Sequence, residues 1–384
     1  MQTTAYNRFL VGAFLALLAA VPLLQVAVEA RRGARPQALD VFTQRPTRAN
    51  LRAFESALEE ASVTVRAVRP WIQAAQFLGL REAGDKTLVG RDGWLFYQPG
   101  VAFLTQRPQP GDTTAGEALA AIVDFRDQLA ARGVRLVIVP APDKESVYPD
   151  KLARRAPPPA RVIGPETRAF LAACDRAGVA VVDLFALYRA ARARSAAPLY
   201  LAQDSHWSPA GARLAAEAVA AHVLAQGWVT QGLTQFDTRP APIRRHGDLV
   251  QLLRAPPLMA RIAPEAVACD QVVRAADGVP YADDSAADIL VLGDSFLRVY
   301  ARDEPGSAGF VAHLARALGR PLASIVNDGG ASTLVRQELC RRPHLLEGKK
   351  VVIWEFVERD LRLGMEGWQR IPLPAIPPPA VRAP

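Results

Sequence analysis

Ser295 ends the stretch Ala287-Asp288-Ile289-Leu290-Val291-Leu292-Gly293-Asp294-Ser295, and Asp204-Ser205-His206-Trp207 lies earlier in the chain. These two stretches supply a nucleophile, a base and a carboxylate. A serine hydroxyl is a weak nucleophile until a neighbouring imidazole takes its proton, and that imidazole must be oriented by a carboxylate. In an extended segment side chains two apart point the same way, so Asp204 reaches the ring of His206 while Ser205 faces elsewhere. Each motif alone has an ordinary reading, Gly-Asp-Ser as a turn and Asp-x-His as a helix cap. Together they spell acyl chemistry at Ser295, with Asp204, His206 and Ser295 as the catalytic residues.

Such residues need a scaffold, and the apolar pattern provides one. Val134 to Val139, Val179 to Leu184, Ile289 to Leu292, Leu322 to Val326 and Val351 to Phe356 are short apolar runs rich in β-branched residues, and Ala/Leu/Arg-rich helical stretches alternate with them. That alternation predicts an α/β fold with a parallel sheet flanked by helices. Ser295 then falls at the carboxyl end of a central strand, where open α/β sheets place their sites. Ser208 is a good N-cap and Pro209 fits the first helical position, so a helix should run from there to about Gln226, with His206 on the loop before it. Residues 227–286 carry Gly, Pro and polar clusters without a strand-helix rhythm and read as an insertion. Within it, Arg244-Arg245-His246-Gly247-Asp248-Leu249 is either the lining of a substrate groove or a solvated loop. His222, His313 and His344 have no carboxylate two positions away and read as structural.

Gly293-Asp294-Ser295 resembles the serine block of the SGNH hydrolase superfamily, and Asp204-Ser205-His206-Trp207 resembles the Asp-x-His-Trp signature of the alginate O-acetyltransferase family, the AlgJ and AlgX proteins. Gly90-Arg91-Asp92-Gly93-Trp94-Leu95-Phe96-Tyr97, Val139 to Pro149 and Trp354 to Leu361 are similar to that family as well. The similarity spans roughly residues 85 to 361. It implies an SGNH-like sheet with a circularly permuted Asp, His, Ser order. It also implies a polysaccharide O-acetyltransferase acting through an acetyl-serine, supplied by a membrane-bound O-acyltransferase partner and working among other exopolysaccharide biosynthesis proteins. An anionic or a neutral exopolysaccharide would suit it. A polysaccharide acetylesterase or deacetylase, and a non-catalytic assembly subunit, are the alternatives. The developing oxyanion needs preset donors, for which the Ser295 backbone N–H and the segment holding Asn327, Gly329 and Gly330 are candidates, the latter also readable as an ordinary turn. Asp294 would brace the turn, and Arg298 and Tyr300 would be rim residues.

From Phe9 to Val28 there are 20 residues without a charge, enough to cross a hydrocarbon core of about 30 Å. An uncleaved signal anchor fits this length better than a removable signal peptide. The charges that follow, Glu29, Arg31, Arg32 and Arg35, against Arg8 before it, argue on the positive-inside rule for a cytoplasmic carboxyl side. The family resemblance implies the opposite, a periplasmic domain anchored in the inner membrane of a bacterium. The expected division is residues 1–35 as anchor or signal peptide, 36–84 as a helical stem, 85–370 as the SGNH-like O-acetyltransferase domain with its insertion, and 371–384 as a flexible Pro-rich tail.

The net charge of +8 favours an anionic substrate or a membrane surface, yet no basic stripe interleaved with aromatics is present, so nucleic acid is not an expected partner. Only five of the 46 basic residues are lysine, an Arg preference that reads as coding bias in a chain this rich in Ala and Pro. Three cysteines allow at most one internal disulfide; Cys174 reads as core, leaving Cys269 and Cys340 as a conceivable pair. No His/Cys cluster of zinc spacing and no phosphate-binding glycine loop occurs, so no metal or cofactor is expected.

Overall fold

A computed structural model of the chain describes residues 2–107, 112–155, 164–195, 197–364 and 366–374. Among them the strands are β1 Thr87–Val89, β2 Leu95–Tyr97, β3 Arg135–Ala141, β4 Ala180–Val181, β5 Phe236–Pro240, β6 Ile243–Arg245, β7 Glu265–Val267, β8 Asp270–Arg274, β9 Ile289–Gly293, β10 Ala323–Val326 and β11 Val351–Val357. All five apolar runs expected to be strands enter one parallel sheet, in the order β10-β9-β11-β3-β4. The one marked difference is β4, which keeps two residues of the expected six. Asp183 leaves the strand to cap the helix Leu184–Arg194, accepting a hydrogen bond from the Ala186 N–H at 3.0 Å. At a sheet edge the cap competes with a ladder that has a neighbour on one side only.

Side chains alternate along β11 and divide the core into two layers. Val351, Ile353 and Val357 pack on one face with the helices Pro209–Ala225 and Phe310–Leu318. Val352, Trp354 and Phe356 pack on the other with Thr114–Ala130 and Leu334–Arg341, where Phe125 meets Trp354 edge-on at 5.4 Å. Such continuous apolar runs are what a sheet covered on both faces requires. Ser208 caps Pro209–Ala225 as expected, accepting from the Gly211 N–H at 3.1 Å.

The chain divides into two compact units, residues 83–253 with 263–384 and residues 1–82 with 254–262. In the larger unit the insertion is built of two antiparallel ladders, β5 with β8 and β6 with β7. Residues 371–374, placed in the tail by composition, pack on Thr114–Ala130: Leu373 is buried and its N–H donates to Gln128 Oε1 at 2.6 Å. The rest of that tail lies outside the described residues. The cysteines are free, and Cys269 and Cys340 lie against opposite core layers, so the pairing considered above is not formed.

In the smaller unit the helix Gln2–Arg31 contains the uncharged run and is long and apolar enough to cross a membrane. Two further helices follow, Arg48–Ala61 and Val63–Leu80, capped by Thr47 and Ser62. Gln25 joins the first helix to their junction by accepting from the Val63 N–H at 2.9 Å.

Candidate active site

The nucleophile candidate stands where β9 turns into the short helix Ser295–Arg298. Asp294 caps that helix, its carboxylate accepting from the Phe296 N–H at 2.8 Å, and so braces the turn as expected. Ser295 is half-buried, on a central strand between β10 and β11. The base arrives on a loop bounded by the bridge between Tyr200 and Trp207, just before Pro209–Ala225.

The three side chains converge. His206 Nε2 lies 2.8 Å from Ser295 Oγ, and His206 Nδ1 lies 2.7 Å from Asp204 Oδ1, which also accepts the His206 N–H at 3.0 Å. In the tautomer this requires, Nδ1–H donates to Asp204 and Nε2 accepts the serine proton. Asp204 is fully buried, which would raise its pKa. The hydrogen bonds and charge of His206 and the Arg245 guanidinium outweigh that and hold it below the usual carboxylate range. Burial would likewise depress His206; the bond to Asp204 and the charges of Asp204, Asp248 and Asp294 outweigh it and raise the imidazole above its ordinary 6.5.

Two residues of the insertion complete this pairing, and their part in it was not read from the sequence. Arg245 Nη2 stands 3.0 Å from Asp204 Oδ2, with its guanidinium over the Tyr300 ring at 5.6 Å. Asp248 accepts from the Ser205 N–H at 2.7 Å and from Ser205 Oγ at 2.5 Å, and its Oδ2 lies 3.8 Å from His206 Nδ1. The Ser205 hydroxyl is spent on Asp248. The stretch at residues 244–249 therefore braces the acid and base. No local signal reveals this, because the contacts join positions about 40 apart. Asp204, His206 and Asp248 also form a group of the size that holds metal ions. Here Asp204 Oδ1 is occupied by the imidazole and Oδ2 by a guanidinium, so the cluster serves the ring.

The stretches around the site have visible work. Lys144 Nζ, buried, donates to the carbonyls of Leu95 at 2.6 Å, Ala202 at 2.9 Å and Asp204 at 3.0 Å, which fixes the loop carrying the acid from below. Burial pulls its pKa down to about 8. Trp207 Nε1 donates to the Phe296 carbonyl at 3.0 Å while its ring stacks on Phe310 at 5.5 Å. The residue after His206 thus holds the residue after Ser295.

The oxyanion candidates lie beside the serine turn. Gly293 is paired with Val326, and the Asn327 N–H donates to the Gly293 carbonyl at 3.0 Å, so the segment 327–330 rises next to Asp294. The N–H groups of Asn327 and Gly330 are both spent on backbone bonds, Gly330 donating to Asn327 O at 3.0 Å. That leaves the Ser295 N–H, which as the first of its helix has no intrahelical acceptor, the Asn327 side chain and the Gly329 N–H as donors. Gly329 has φ +70, a conformation that suits glycine. Arg298 ion-pairs with Asp303 at 2.5 Å and Asp328 at 2.9 Å, tying the serine helix to this loop. Tyr300 is fully buried under Arg245 and is not a rim residue. Of the other histidines, His313 is buried, with its pKa lowered to about 4 by that burial, and His222 packs on Trp228.

A five-stranded parallel sheet between helices, with a Gly-Asp-Ser turn leaving a central strand and an Asp-x-His loop meeting it, is the architecture of an SGNH hydrolase-like protein. Residues 87–358 match the family of the SGNH hydrolase-like domain of acetyltransferase AlgX, and the chain belongs to that family. It is 27% identical over 301 residues to the probable alginate O-acetylase AlgJ of Pseudomonas aeruginosa, covering 76% of this chain and 75% of that protein. It is 30% identical over 297 residues to the protein of the same name from Pseudomonas putida, covering 75% and 73%. Its fold is similar to that of the O-acetyltransferase domain of Pseudomonas putida AlgJ, with a TM-score of 0.59 and 27% identity over 72% of this chain and 92% of that domain.

Proposed function

We propose that this chain is an O-acetyltransferase that places acetyl groups on hydroxyls of an exopolysaccharide such as alginate, with Ser295 as nucleophile, His206 as base and Asp204 as its orienting carboxylate. The observation that carries this reading is His206 spanning Asp204 and Ser295 at 2.7 and 2.8 Å. Ser295 Oγ gives its proton to His206 Nε2 and attacks the acetyl carbonyl carbon. The tetrahedral oxyanion collapses as the leaving group departs with the proton from Nε2, leaving acetyl-serine. A sugar hydroxyl then gives its proton to Nε2 and attacks the acetyl carbon, and Ser295 Oγ leaves and takes that proton back. Protons balance over the cycle. Each oxyanion donor contributes roughly 3 kcal/mol to the transition state. The names of the relatives support acetyl transfer over simple ester hydrolysis. A membrane-bound O-acyltransferase is the proposed source of the acetyl group.

A transferase must protect its acetyl-serine from water until the sugar arrives. Hydrolysis of a small acetyl ester by the purified protein should therefore be slow, and should speed up when an oligosaccharide acceptor is added, with acetyl appearing on the glycan by mass spectrometry. If the protein only strips acetyl groups from acetylated glycans, whatever donor or acceptor is offered, it is an esterase.

For location, we propose that residues 9–28 hold the protein at the bacterial inner membrane with residues 36–384 in the periplasm. The apolar helix Gln2–Arg31 and the kinship with alginate acetylases support this. A carboxyl-terminal alkaline phosphatase fusion should be active in cells. An inactive but intact fusion would put the domain in the cytoplasm and remove an exported polysaccharide from consideration.

A further inference from the structure

Trp354 to Leu361 belongs to the stretches set apart in the sequence, and the acyl-transfer steps above give its acidic residue Glu355 no task. On β11 the side chain of Glu355 points into the same layer as Val351, Ile353 and Val357, and it is completely buried. Among the described residues no cation forms an ion pair with it. The charged and titratable groups that face it are Asp294 from the serine turn, Arg359 and Asp360 beyond the end of its own strand, and Tyr188 from the helix Leu184–Arg194. Arg359 is committed to Asp143 at 2.5 Å.

The Glu355 carboxyl rests against the peptide that carries the nucleophile. Its Oε2 accepts from the Asp294 N–H at 3.2 Å. The same oxygen would lie 2.5 Å from a Cβ at position 293, so glycine is what lets the carboxyl approach the turn. Gly293 and Asp294, the two residues before Ser295, are therefore seated on one carboxyl group from the neighbouring strand.

We propose that Glu355 is a positioning residue for Ser295, an uncharged carboxylic acid that fixes the Gly293-Asp294 peptide and thereby aims the serine Oγ at His206. The proposal rests on the reading of Ser295 as nucleophile. A carboxylate here would sit in an apolar layer beside the Asp294 carboxyl with no cation paired to it, and burial, then the Asp294 charge, outweigh the nearby Arg359 and drive the Glu355 pKa well above the usual range. The neutral acid keeps an acceptor for the Asp294 N–H without the cost of a buried unpaired charge.

The test compares Glu355→Gln and Glu355→Met with wild type in the full chain. Release of nitrophenolate from 4-nitrophenyl acetate at neutral pH reports acylation. Gln is uncharged and retains the acceptor, so Glu355→Gln should keep kcat at neutral pH. Met fills the apolar layer without an acceptor, so a purely structural residue would tolerate it. Misaiming the serine should instead lower kcat by on the order of 100-fold with KM little changed. Wild-type kcat in Glu355→Met overturns the positioning role. A loss in Glu355→Gln as deep as in Glu355→Met overturns the neutral acid. Ser295→Ala run in parallel separates the two levels, since activity surviving there defeats the nucleophile reading itself.

Discussion

Ser295→Ala is expected to reduce acetyl transfer by about 10⁴-fold or more and to abolish the acetyl-enzyme adduct seen by mass spectrometry. The side chain is half-buried, so the lost oxygen leaves neither a sizeable cavity nor an orphaned partner other than His206, and the fold should survive. His206→Ala should cost nearly as much, and the double variant hardly more than either alone, because a nucleophile without its base and a base without its nucleophile are equally idle. If Ser295→Ala retained full acetylation of the polymer in cells, the chain would be a scaffold for another enzyme.

Asp204→Asn should cost about 10⁴-fold in kcat while substrate binding changes little. The geometry gives the reason. Arg245 stands 3.0 Å from Asp204 Oδ2 and can only donate, so an asparagine that keeps its oxygen toward Arg245 turns its NH₂ toward His206, where it also meets the His206 backbone N–H. The imidazole then accepts at Nδ1 and carries its proton on Nε2, where it can no longer take one from Ser295. The pH profile adds a check. Activity needs neutral His206 and so appears as pH rises through the imidazole pKa. In wild type that acid limb should lie above 6.5, because the imidazole is raised. Losing the Asp204 charge should move what remains of the limb to lower pH. Wild-type kcat with an unmoved limb in Asp204→Asn would show that this carboxylate does not orient the base.

Most of the sheet could be read from sequence because β3, β9 and β11 are apolar runs buried on both faces, a pattern that survives without tertiary information. The cap at Ser208 was legible for the same reason, since a serine followed by proline acts within one turn. Asp204 and His206 were legible as a pair because extended backbone puts alternate side chains together. Arg245 and Asp248 were not, since what they do is defined by β6 and the loop after it meeting the 204–206 loop, and a surface groove uses the same residue types. β4 was overcalled because apolar content does not show where a capping aspartate ends a strand. Residues 371–374 were taken for tail because their Pro-rich composition conceals Leu373, which the helix Thr114–Ala130 buries.

The bond from the Trp207 indole to the Phe296 carbonyl means that base and nucleophile share one frame of reference, although 89 residues of chain separate His206 from Ser295. One direct bond thus ties the two loops to each other as well as to the sheet. The alignment of reacting groups is then established once, during folding, and each turnover begins with it in place.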